Sequence, residues 1–138
     1  MESSDTESRR KCTHELLRSM CRQFEQQTTS ICSQHVNQML HQFASDKSQW
    51  KMKDCSIHLM LGIAIRAESA QFGVSQVNEG VNVMDFFSGH ILTELQEPDM
   101  NVRPMVKGEA YVCNFVIMYY FHVSNCYIFC TSDVYQIC

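Results

Sequence analysis

Residues 31–43 read ICSQHVNQMLHQF. Ile31, Cys32, His35, Val36, Met39, Leu40 and Phe43 recur at steps of three and four, while Ser33, Gln34, Asn37, Gln38 and Gln42 fall opposite them. That spacing repeats the turn of an α-helix, so the stretch predicts a helix with one apolar face that needs a neighbour. Upstream, Cys12, Leu16, Leu17, Met20, Cys21 and Phe24 make a second stripe, and Ser4-Asp5-Thr6-Glu7 has the form of a capping box before it. Gln26-Gln27-Thr28 offers a break between the two helices, with Thr28 or Thr29 as the next cap.

Downstream, Ser45-Asp46-Lys47-Ser48 reads as a polar turn, and a third helix is expected from about Gln49. Trp50, Met52, Cys55, Ile57, Leu59, Met60, Leu61, Ile63, Ala64 and Ile65 cover most of its circumference, which predicts packing on two sides. Glu68 to Val81 reads as a long polar connection. Asn82 can cap a fourth helix with Val83, Phe87, Ile91 and Leu95 in line, and Phe86 and His90 alongside. Glu97-Pro98 should end it, and Pro104 suits the first position of a fifth.

The expected fold class is therefore all-α. Two helix pairs in about 90 residues fit a short HEAT-type α-solenoid of antiparallel pairs. Periodicity alone fits a compact four-helix bundle equally well. The formal net charge of −4 and the dispersed Lys and Arg give no footprint for nucleic acid. The polar start of the chain lacks the apolar core of a secretory signal. Cys12, Cys21, Cys32 and Cys55 accordingly read as small buried apolar residues rather than a disulfide framework.

Certain runs of residues, taken in order, resemble one family. They are Arg9-Arg10, Leu17-Arg18-Ser19-Met20-Cys21, Phe24-Glu25, Thr29-Ser30-Ile31, Val36-Asn37-Gln38-Met39-Leu40 and Trp50-Lys51-Met52-Lys53-Asp54, followed by Gly73-Val74, Asn78-Glu79-Gly80-Val81-Asn82, Phe86-Phe87, His90-Ile91-Leu92, Pro104 and Lys107. The pattern resembles the middle of the CAS/Cse-type exportins of the importin-β (karyopherin) superfamily, over about residues 5–110. The resemblance implies a HEAT-repeat receptor that shuttles between nucleus and cytoplasm, binds importin-α together with Ran-GTP, and has no enzyme activity or cofactor. The long Glu68–Val81 connection looks like a mid-array insertion associated in that family with Ran contact. It makes Gln71, Gln76, Asn78 and Glu79 the expected partner surface.

Residues 111–138 differ in kind. Asp133 is their only charge, and they hold all five tyrosines and four of the eight cysteines. The expected domains are thus a repeat segment, 1–110, and a hydrophobic, irregular tail, 111–138, unrelated to the family. Val112-Cys113 can be encoded by a splice-donor sequence, so the tail reads as translated intron. The alternative is a membrane anchor over Tyr111–Cys130, giving a membrane-tethered or inert truncation product. Other chemistry has little local support. Cys12, Cys21 and Cys55 with His14, His35 and His58 lack the sequence context of a Cys/His hydrolase. His122, Cys126, Cys130 and Cys138 do not have standard zinc-knuckle spacing.

Overall fold

The computed structural model describes residues 2–69, 73–99 and 101–123, with side-chain surroundings for 9–66, 76–99 and 101–117. Helix α1 runs Glu2–Ser45 and α2 runs Trp50–Ala64. Strands β1 (Ile65–Ser69) and β2 (Gly73–Val77) follow. A third helical stretch comprises α3 (Val83–Phe86), a π turn (Phe87–Ile91) and α4 (Leu92–Leu95), and α5 is Pro104–Val123. Among the described residues the fold is all-α, with one short antiparallel hairpin.

The two helices expected before residue 45 are two halves of α1, joined at Phe24, whose φ of −135° and ψ of 49° leave the helical region. Their contacts with α2 show how they lie. In the first half, Arg10 meets Asp54, His14 meets the His58 carbonyl, and Leu17 lies against Gly62, in rising order. In the second half the order reverses, for Phe43 meets Lys53 whereas Thr29 shares Asn78 with the Ile63 carbonyl. The halves therefore run in opposite senses along α2. The break falls at Phe24 rather than at Gln26–Thr28. Thr28 and Thr29 are buried inside the second half and do not cap it. Ser4 likewise lies within the helix, which begins at Glu2.

Because α2 packs against α1 on one side and α5 on the other, its apolar residues are consumed on both, as its composition predicts. Ile57 and Leu61 join Val36 and Leu40 of α1, Phe86, Phe87 and Ile91 of the third stretch, and Val106, Ala110, Cys113 and Ile117 of α5 in one core. A smaller cluster gathers Leu17, Cys21, Cys32, Ile63, Ala64 and Val81. Cys21 and Cys32 are buried as expected, but Cys12 and Cys55 are exposed, because each falls on the outward side of its helix.

Asn82 caps α3 as predicted, its side-chain oxygen accepting from the Asp85 amide at 3.1 Å. Pro104 opens α5. The connection expected from Glu68 to Val81 is instead largely the hairpin, with Ile65 opposite Val77 and Ser69 opposite Gly73. The change of composition at Tyr111 has no counterpart in α5, which continues regularly to Val123 and buries Cys113 and Ile117. Among the described residues no helix is long and apolar enough to cross a membrane. The span expected over Tyr111–Cys130 and the His122, Cys126, Cys130, Cys138 set extend beyond the described side chains.

Candidate interaction surface

The hairpin leaves α2 at Ile65 and returns to the body at Asn78, whose amide donates to the Ala64 carbonyl at 2.8 Å. The Asn78 side chain then closes the neck. Its Nδ2 donates to Thr29 Oγ1 at 2.8 Å and to the Ile63 carbonyl at 3.1 Å, and its Oδ1 accepts from the Gly80 amide at 2.9 Å. With 2% exposure, Asn78 has no surface to offer, which corrects the expectation that it belongs to a partner surface. A buried amide must find partners for both ends, and here α1, α2 and the turn supply them.

Gln76 and Glu79 are exposed on either side of this neck. Gln71 lies outside the described residues. Beside the neck is a polar groove of about 400 Å³ lined by Glu25, Gln26, Thr29, Ser33, Arg66 and Gly80. Arg66 pairs with Glu25 across it, tying the base of β1 to the α1 kink. Sequence reasoning missed this pair, since nothing local links residues 41 positions apart. A second, apolar cavity of about 270 Å³ lies between Leu61, Ala64, Val81, Val83, Met84 and Ile117.

Two charged junctions hold the helices that frame this surface. In the first, Lys53 donates to Glu94 at 2.6 Å with both side chains almost fully buried, and Arg103 reaches the other Glu94 oxygen at 3.1–3.2 Å. Burial pushes the Glu94 carboxyl up, but the Lys53 hydrogen bond and charge, with Arg103, outweigh it and leave it below the ordinary 4.5. For Lys53 the balance goes the other way. Burial pulls the ammonium below its ordinary 10.5 despite Glu94. Lys107, also buried, donates to the carbonyls of Glu97 and Asp99 at 2.6 Å and pins the loop before α5.

In the second junction Arg10 of α1 donates to Glu109 of α5 at 2.5 Å and to Asp54 of α2 at 3.0 Å. His58 lies one turn beyond Asp54, its Nε2 3.0 Å from Glu109. Burial pushes the thiols of Cys21 and Cys32 above their ordinary 9.0, and that of Cys113 up to about 12. Thiols so disposed stay protonated and serve as packing, the opposite of an activated nucleophile.

Comparison with known proteins agrees with this architecture. The Cse1 family model matches residues 1–129. Exportin-2 of Oreochromis niloticus is 39% identical over 111 residues, which is 80% of this chain and 11% of that protein. Exportin-2 of Danio rerio is 39% identical over 118 residues, covering 83% of the chain and 12% of the relative. Exportin-2 of Homo sapiens is 38% identical over 111 residues, again 80% and 11%. No solved structure matches. The chain spans only 11–12% of the length of these relatives, and the family model runs to residue 129. It belongs to the Cse1 family, whose matched relatives are exportin-2 proteins.

Proposed function

We propose that this chain is one segment of a nuclear export receptor that binds importin-α together with Ran-GTP and returns importin-α from nucleus to cytoplasm. It supplies stacked helices to a larger superhelix, moves between both compartments, and acts by binding rather than by catalysis. The observation that carries the reading is the Cse1 match along residues 1–129, on a chain whose helices stack as successive layers on α2.

Within the segment, we assign partner contact to the hairpin and its neck, with Gln76 and Glu79 as exposed contacts and Gln71 as a further contact. Asn78 holds the neck in place and does not touch the partner. Exposed polar side chains at Gln76 and Glu79, on a neck fixed by buried hydrogen bonds, suit a contact that must be specific yet reversible.

The purified 138-residue chain, immobilised and presented with Ran loaded with GTP or GDP, with and without importin-α, tests the assignment. Retention of Ran-GTP over Ran-GDP is expected, and Gln76→Ala with Glu79→Lys should weaken it. Equal retention of the two nucleotide forms, or no effect of the paired substitution, would overturn the assignment of the hairpin.

A further inference from the structure

We propose that Asp54, His58 and Glu109 form a binding site for one divalent transition-metal ion where α2 meets α5. Each residue offers a donor atom, and the three atoms lie within 4.8 Å of one another. Asp54 and His58 stand four apart on one face of α2, and α5 brings Glu109 to them. Metal–ligand distances of about 2.0–2.2 Å require the donors to draw in by roughly 1 Å, within the reach of side-chain rotation.

The junction as it stands leaves polar atoms without partners. Asp54 is 6% exposed, and its Oδ1 is buried with no hydrogen bond. His58 Nδ1 is buried without one as well, while Nε2 lies 3.0 Å from Glu109 Oε2. Unsatisfied buried groups of this kind are rare and call for a ligand.

Arg10 does not fill the gap. It holds Asp54 through Oδ2 and Glu109 through Oε1, leaving Asp54 Oδ1 without a partner and Glu109 Oε2 facing His58 Nε2 at 3.0 Å. Carboxylates that bind metals are commonly held from behind in this way. Its one positive charge is shared between the two carboxylates. About a third of its side chain is exposed, so it can withdraw toward solvent when an ion enters. One imidazole and two carboxylates suit Mn²⁺, Fe²⁺ or Zn²⁺ better than a soft ion.

Mn²⁺ is the probe, because the exposed thiols of Cys12 and Cys55 compete poorly for it. The full chain is titrated with Mn²⁺ alone, and the free ion is followed by electron paramagnetic resonance. One equivalent should bind, with His58→Gln and Glu109→Gln each weakening it about ten- to a hundredfold. Circular dichroism without metal checks that both variants are folded. Should either unfold, paramagnetic broadening in the parent chain decides. Loss of the His58 ring and Glu109 amide signals ahead of all others supports the site. Unchanged affinity in folded variants, broadening centred elsewhere, or no uptake at millimolar Mn²⁺ would show an ion-pair junction only.

Discussion

Asn78 and Gln76 sit two positions apart and have opposite fates. Replacing Asn78 by alanine strands the Thr29 hydroxyl, the Ile63 carbonyl and the Gly80 amide in a buried neck. The expected loss is about 2–3 kcal/mol in urea unfolding, whereas Gln76→Ala should stay within about 0.5 kcal/mol. Glu94 sets a second expectation. Its carboxyl titrates lower in the folded chain than its ordinary 4.5, so the unfolded chain takes up the proton first. The stability contributed by its pairing is fully present above pH 4.5 and is lost as pH falls through the folded value. Glu94→Gln should flatten that acid limb of a stability–pH curve. At neutral pH it should cost about 3 kcal/mol by leaving Lys53 buried without its anion. None of this was legible in the sequence. Asn78 and Glu79 look alike in a polar run, and only the return of the chain beneath Ile63 separates the buried one from the exposed one.

At the scale of elements the sequence carried more. The two-sided α2, the Asn82 cap and the Pro104 start rest on local periodicity and capping chemistry and appear in the structure. The stripe of residues 31–43 holds for Cys32, Val36, Leu40 and Phe43, while Ile31 and His35 are exposed. The hairpin escaped because its register shifts at Ala67 break the two-residue alternation by which strands are recognised, and no Asn-Gly or Asp-Gly marks its turn. The break in α1 was misplaced by a few residues because polar Gln and Thr suggested a terminus. In fact Thr29 was needed to receive Asn78. Helix α5 gives the next prediction. Cys113 and Ile117 lie in the core, so ending the chain after Ala110 should lower the thermal midpoint markedly, and Ile117→Ala should cost about 2–3 kcal/mol. The proposed coding junction at Tyr111 is a separate matter. Transcripts spliced at the codons for Val112-Cys113 would support it, and transcripts continuous to Cys138 would end it.

The whole molecule is a stack whose outer helices carry apolar residues on their outward sides as well as their inward ones. Leu16 is 60% and Ile31 56% exposed on α1, and Met105 and Val112 are each 53% exposed on α5. Helices apolar on two sides are normally covered on both. The isolated chain should therefore associate as its concentration rises in light-scattering measurements, and Leu16→Glu with Ile31→Glu should reduce that association. In a receptor about nine times the length of the matched segment, these sides would face further helices, so the most direct test restores that setting. Residues 1–129 of this chain would replace the matching segment of human exportin-2, and the distribution of importin-α would be followed in cells lacking the endogenous receptor. The account predicts that the folded chimera returns importin-α to the cytoplasm. A chimera that is folded, enters the nucleus and still leaves importin-α there would contradict it.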